Sequence, residues 1–172
     1  LSINLRAYQI SLFLLAAALF WPAFMEPFTP LRIDFVSLGQ GDCTVIQTPD
    51  RQTVVVDAGP TPRSRTNREP LLLQFLQSQG VRCIDLAVIT HPQSDHIGCM
   101  DELVQRGLVE RLARGQPDFS HSGYQALIAS ATQRQIPIHA IHTGDRIEVG
   151  ECTFWVLHPA SDRGYTLADI NE

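Results

Sequence analysis

The apolar run over residues 84–89 stops at Thr90-His91-Pro92-Gln93-Ser94-Asp95-His96-Ile97-Gly98, and this junction constrains the fold more than any other stretch. A buried strand brings its C-terminal end to the edge of a sheet, where the following loop aims several side chains at one point without burying unpaired polar groups. Two imidazoles and a carboxylate within six positions form a donor set suited to Zn²⁺ or Mn²⁺ without any thiolate. Gly98 lets backbone approach where a larger residue would crowd it. The alternative is that Asp95 caps a helix running from His96 to Arg106 with His91 as a loop residue, and the two roles are compatible.

The neighbouring segments read as short strands and helices in alternation. Residues 32–38 and 43–47 are expected strands around the turn Gly39-Gln40-Gly41-Asp42, in which the two glycines supply positive φ. The run Val54-Val55-Val56 ends in Asp57-Ala58-Gly59. A carboxylate there either accepts the second ring N–H of a ligand histidine, fixing its tautomer, or makes an ordinary turn before Gly59. Further along, a helix is expected over 101–106, a short strand over 109–112 and a helix over 122–135, ended by Pro137. Residues 147–157 alternate around Gly150 as a hairpin does.

On these residues the chain resembles the metallo-β-lactamase superfamily. His91, Asp95 and His96 fall on its H-x-H-x-D-H signature, and Gln93 stands in place of the second histidine. The resemblance implies an α/β fold, the layered αββα sandwich. It also implies that His91, Asp95 and His96 hold one or two metal ions, with Asp95 at the reacting centre. Gln93 offers only a neutral amide oxygen, a weaker ligand than the histidine it replaces. Asp57 is the expected support behind the ligands.

The order of motifs resembles one branch, the C-terminal domain of ComEC-type competence proteins, which are membrane channels for DNA uptake. There a Gly-Gln-Gly-Asp hairpin precedes a strand ending in Asp-Gly-Gly, a helix and the His-rich loop. Here Ala58 and Cys99 each replace a glycine of the pattern, and neither change removes a ligand. In that branch an Asn-Asp-x-Ser segment, a Thr-Gly-Asp motif and a His-His-Gly-Ser motif follow. Asn171-Glu172 resembles the start of the first, so the domain over 32–172 is expected to be incomplete at its C-terminus and to have little activity alone. Thr143-Gly144-Asp145 spells the second motif too early and is expected to form a turn. Arg63, Arg65 and Arg68 follow Asp57-Ala58-Gly59, in a region that borders the active site across the superfamily. They either grip phosphates through forked hydrogen bonds or carry solvated loop charge.

Residues 10–25 are apolar apart from Ser11, and no charge falls between Arg6 and Glu26. About 20 residues of helix cross a bilayer core, so residues 1–26 are expected to hold a transmembrane helix, the last of a membrane bundle, with 27–31 as linker. No small-x-small cleavage site stands at the end of the run directly before Glu26, which argues against a signal peptide. Arg6 before the span places the globular domain outside the cytoplasm by the positive-inside tendency. A first residue other than Met agrees with a piece of a longer protein.

The roughly 140 residues beyond the linker suffice for one domain and not for two. A net charge of −5 excludes a basic nucleic-acid-coating protein, although every basic residue is Arg. The four cysteines, at 43, 83, 99 and 152, show no C-x-x-C spacing, so a zinc ribbon is excluded. Cys43 and Cys83 read as core residues. His121, His139, His142 and His158 lack motif support as ligands. The function implied is metal-assisted phosphodiester hydrolysis on incoming DNA, with DNA, the membrane and the rest of the bundle as partners. A catalytically inactive scaffold or DNA-guiding domain, and a membrane-tethered hydrolase of another substrate, are the alternatives.

Overall fold

The structure is a computed structural model that describes residues 5–24, 29–61, 69–115 and 120–158. Period-two patterning in short runs rich in Val and Ile produces strands, and each crossover between parallel strands carries a helix. Six strands form one sheet in sequential order: β1 (Arg32–Phe35), β2 (Thr44–Gln47), β3 (Thr53–Val56), β4 (Leu86–Ile89), β5 (Leu112–Arg114) and β6 (Ile138–Ala140). The first three pair antiparallel, and β3 through β6 run parallel. After an N-terminal helix α1 (Leu5–Phe24), the crossover helices are α2 (Leu71–Ser78), α3 (Ser94–Ile97) with α4 (Met100–Gln105), and α5 (Ser122–Gln133). A hairpin of β7 (Arg146–Val149) and β8 (Cys152–Trp155) forms a second, two-stranded sheet.

Alternation along the strands divides the core between two faces. Val45, Val55, Ala87 and Ile89 face Leu72, Leu76, Met100, Leu103 and Leu127 of the helices. Their sequence neighbours Val54, Leu86 and Ala113 point the other way and meet Val149, Ile147 and Phe154 of the hairpin. Strand β4 is therefore buried on both faces, as its unbroken apolar run requires. The α/β class and the layered arrangement agree with expectation. Toward β1 the second face is uncovered: Ile33, opposite Ile46, is 51% exposed and Phe35 is 85% exposed.

Several boundaries differ from the sequence reading. Asp95 does not cap the helix after the His loop: the N-cap is Gln93, and Asp95 lies in the first turn of α3. That helix is also broken at Gly98-Cys99. A β-carbon on Gly98 would lie 1.9 Å from the Thr61 backbone nitrogen, so only glycine admits that chain beside the junction. Residue 109 makes a single bridge to Ile84, and β5 begins three residues later, opposite Ala87. Gly39 and Gly41 adopt φ of 88° and 130°, as a turn between β1 and β2 requires. Thr143-Gly144 is a turn, closed by Asp145 accepting from the His142 backbone N–H. All four cysteines are free thiols, with Cys43 buried and Cys83 only partly so.

Helix α1 presents Ile10, Leu12, Phe13, Leu14 and Leu15 with more than half of each surface exposed. Among the described residues no helix is long and apolar enough to cross a membrane. Residues 1–4 and 25–28, part of the expected span and linker, lie outside the described residues, as do 159–172.

Candidate metal centre

Parallel pairing of β3 and β4 places their C-terminal ends at the same edge, with Asp57 following one and Thr90-His91 the other. The Asp57 backbone N–H donates to Val88 O at 2.9 Å and so extends the ladder by one residue. Asp57 then turns into the left-handed region, at φ 57°. A non-glycine residue holds that conformation only when its surroundings fix it. The fixing contacts are on its carboxylate, which is 4% exposed. Oδ1 accepts the Thr90 backbone N–H at 2.9 Å, and Oδ2 accepts the Thr90 hydroxyl at 2.6 Å and His96 Nδ1 at 2.8 Å.

Three loops interlock around this carboxylate. The Ala58 N–H donates to the His96 carbonyl at 2.6 Å, and the Gly59 N–H donates to the Asp42 carbonyl at 2.9 Å. A β-carbon at Gly41 would lie 2.2 Å from the Asp95 carbonyl oxygen, so the first loop rests directly on the His loop. Gly98 gives Pro60-Thr61 the same access from the other side, and Thr61 Oγ1 donates to the Gly98 carbonyl at 3.3 Å.

The functional side chains stand within this frame. His91 and His96 have ring centroids 3.8 Å apart, tilted by 51°. Asp57, His91 and His96 each bring one donor atom to a cluster whose members lie within 4.8 Å of one another. Asp95 Oδ2 is 3.9 Å from His96 Nε2, and its side chain is half exposed. Gln93 Oε1 is 3.0 Å from His91 Nε2. Asp57 takes one donor on Oδ1 and two on Oδ2, and through the second of these it orients the His96 ring. By receiving the His96 Nδ1–H it leaves Nε2 of that ring as the lone-pair end. Imidazole nitrogen beside a carboxylate is a fitting donor set for a divalent first-row metal.

The cysteines nearby are not part of this cluster. Burial, then the Asp57 charge, pushes the Cys43 thiol up to about 12. Burial, then the Glu102 charge, raises Cys99 to about 12. Both stay protonated at neutral pH.

Of the residues singled out from sequence, His91, Gln93, Asp95, His96 and Asp57 come together here. Arg63, Arg65 and Arg68 lie outside the described residues. His121 is the N-cap residue of α5, His139 lies in β6, His142 stands beside the 143–145 turn and His158 borders the second sheet face. None belongs to the His91–His96 cluster. Two contributors escaped the sequence reading. Thr90 was legible only as a hydroxyl preceding a histidine at a strand end. The contact of Gly41 with Asp95 had no local signal.

The sequence profile of the family described as Metallo-beta-lactamase superfamily matches residues 36–164. A curated relative, ComE operon protein 3 of Bacillus subtilis (strain 168), is 26% identical over 140 residues, which is 74% of this chain and 18% of the relative. The chain thus spans less than a fifth of that relative's length. A solved structure described as a new diphosphatase from the PhnP family aligns with a TM-score of 0.42 and 20% identity, covering 67% of this chain and 43% of the other.

Proposed function

This chain belongs to the metallo-beta-lactamase superfamily, and from that premise we propose that it is the metal-dependent hydrolase domain of a membrane-borne competence protein. In this reading it degrades or handles incoming DNA during uptake. The observation that carries the hydrolase part is the pair His91 and His96, with ring centroids 3.8 Å apart and a buried carboxylate behind them. Similarity to ComE operon protein 3, together with the Gly-Gln-Gly-Asp and His-loop motifs, supports the competence context.

His91, Asp95 and His96 would hold Zn²⁺ or Mn²⁺, with Gln93 Oε1 beside His91 as a further oxygen donor. When bound, the ion supplies Lewis-acid chemistry for water and for a phosphoryl oxygen. The chain's own residues prepare that site. Asp57 keeps the His96 ring in one tautomer and orientation, and the Gly41 and Gly98 contacts fix the loop that bears Asp95. Asp95, half exposed, stands 3.9 Å from the free end of the His96 ring, where water and substrate would reach it. Arg63, Arg65 and Arg68 would hold the phosphates of the strand.

The membrane placement belongs to the same reading: 1–26 as the last helix of a bundle, 27–31 as linker and the domain from residue 32 outside the cytoplasm. Its support is the row of exposed apolar side chains from Ile10 to Leu15, which face every side of α1.

The test is hydrolysis of single- and double-stranded DNA by the full-length protein with added Zn²⁺ or Mn²⁺, beside its His96→Ala variant. The reading expects metal-dependent cleavage that falls at least about 100-fold in the variant. Cleavage unchanged by the substitution refutes the mechanism. Metal binding without cleavage of DNA moves the substrate to another class, and a protein that binds neither is a scaffold.

A further inference from the structure

Arg114 is a partly buried cation without a counter-charge. Strand β5 ends with it. Leu112 packs among the helices and Ala113 meets the hairpin, so by alternation Arg114 leaves the sheet on the helix face. There its Nη1 donates to the Gly115 carbonyl at 3.0 Å. Burial raises the pKa of the Tyr124 phenol on α5 and the Arg114 charge opposes that rise, which puts the guanidinium near it. Arg32, Arg106 and Arg146 each face a carboxylate, but no ion pair among the described residues includes Arg114. A guanidinium drawn part-way out of water with one carbonyl for a partner has donors and charge to spare, and a bound anion answers both.

The same corner of the fold adjoins the metal centre. Arg114 pairs in register with Ile89, which immediately precedes Thr90-His91, and neighbouring strands lie about 4.8 Å apart. From the other side α5 packs on α3: a β-carbon on Gly123 would lie 3.9 Å from Ile97 Cδ1, and Ile97 follows His96. The His121 ring lies against Gly123, and its Nδ1 is buried without a hydrogen-bond partner. We propose that Arg114 binds a backbone phosphate of the substrate strand beside the metal centre, with His121 at the edge of the same subsite. That the phosphate belongs to a substrate rests on the hydrolase reading above; the anion contact does not. A planar guanidinium takes a phosphate through two parallel N–H···O bonds, which the ammonium of lysine does not reproduce. Arg111 is the matched control: it is also partly buried and donates to the Asp85 carbonyl at 3.1 Å, but it lies at the far end of the strand. Three residues of strand set it about 10 Å away.

Fluorescence anisotropy of a short labelled oligothymidylate on the purified chain, freed of metal by a chelator, tests this in the wild type, Arg114→Gln, Arg114→Lys and Arg111→Gln, beside calorimetric Zn²⁺ titration of each. Arg114→Gln is expected to weaken binding about 10- to 30-fold and to lower the salt slope by about 0.7, the share of one phosphate contact on a single strand. Arg114→Lys should weaken it about three- to tenfold with the slope kept, and Arg111→Gln should bind as the wild type does. Zn²⁺ affinity should stay within about threefold of wild type in all three. An uncharged methylphosphonate oligothymidylate should not distinguish Arg114→Gln from the wild type. No oligothymidylate binding by the wild type, equal binding by Arg114→Gln, or an equal loss in Arg111→Gln overturns the proposal. If Arg114→Gln does not fold, Arg114→Lys decides, and binding equal to wild type overturns it. A chain that takes up Zn²⁺ but binds oligothymidylate without need of Arg114 keeps the hydrolase reading and loses this one. Binding that depends on Arg114 in a chain that takes up no Zn²⁺ upholds the contact and refutes the hydrolase reading instead.

Discussion

Replacing Asp57 separates its structural work from its work on the rings, because two substitutions remove different parts of it. Asp57→Ala deletes three hydrogen bonds to a carboxylate that is 4% exposed and leaves the Thr90 N–H and His96 Nδ1–H without their acceptor. Hydrogen bonds to a charged group contribute about 1.5–3 kcal/mol each and are not additive within one network. Alanine at φ 57° adds about 1–2 kcal/mol of backbone strain. The expected loss is roughly 3–5 kcal/mol, a large share of a typical domain's stability. Asp57→Asn keeps the shape and suits the left-handed conformation, so its loss should be roughly 1–2 kcal/mol. Its amide, however, presents one acceptor where the carboxylate presents two. Thr90 and His96 then compete for that oxygen or meet an N–H₂ group. His96 is expected to move its proton to Nε2, and Zn²⁺ affinity should drop about 10- to 100-fold in a protein that still folds. Urea denaturation of the metal-free variants gives the first quantity and calorimetric Zn²⁺ titration the second. An Asp57→Asn variant that binds Zn²⁺ within about threefold of wild type would refute the assignment of Asp57 as the residue that orients the rings.

Gly41→Ala should cost at least about 2–3 kcal/mol of stability and weaken metal binding, since the new methyl group would meet the Asp95 carbonyl at φ 130°; thermal melts with and without Zn²⁺ check both effects. Cys43 and Cys99, with thiols raised to about 12, should resist a thiol reagent at pH 8 in the folded chain and react fully in urea, as mass spectrometry of labelled peptides would show. Asp50 ties the β2–β3 turn to the hairpin by accepting from Thr48 Oγ1 at 2.6 Å and from the Glu151 N–H at 3.2 Å. Donation by Thr48 chiefly lowers its pKa below the ordinary 3.8, so its contribution is present above about pH 4 and lost as pH falls through the folded value. Asp50→Asn should therefore lower stability at pH 7 while flattening the acid limb of a stability–pH curve.

What the sequence made legible was whatever one segment determines alone. The His loop was visible because an apolar run ends there in a cluster of ligand-type residues, and the hairpin because alternation reverses around Gly150. The α/β class was visible because strands alternate with helical stretches. Features that depend on two distant segments were not legible. The close approach of Thr61 to Gly98 joins residues 37 apart in the chain. Thr90 gains its role from Asp57, 33 residues away, and without that partner it reads as one more strand-end hydroxyl. A cap was the alternative role for Asp95, because its place near the helix start fits that role locally. The helix instead begins one residue before it and leaves its carboxylate near His96.

Uptake of a divalent ion by these side chains is what the hydrolytic mechanism requires before anything else. Calorimetry and elemental analysis of the purified chain, titrated with Zn²⁺ and separately with Mn²⁺, measure that directly. The expected result is close to one equivalent or more of at least one of the two metals, abolished in both His91→Ala and His96→Ala with the fold intact by circular dichroism. Less than about 0.2 equivalents of either metal in the wild type, or equal uptake by the wild type and the two variants, would contradict it.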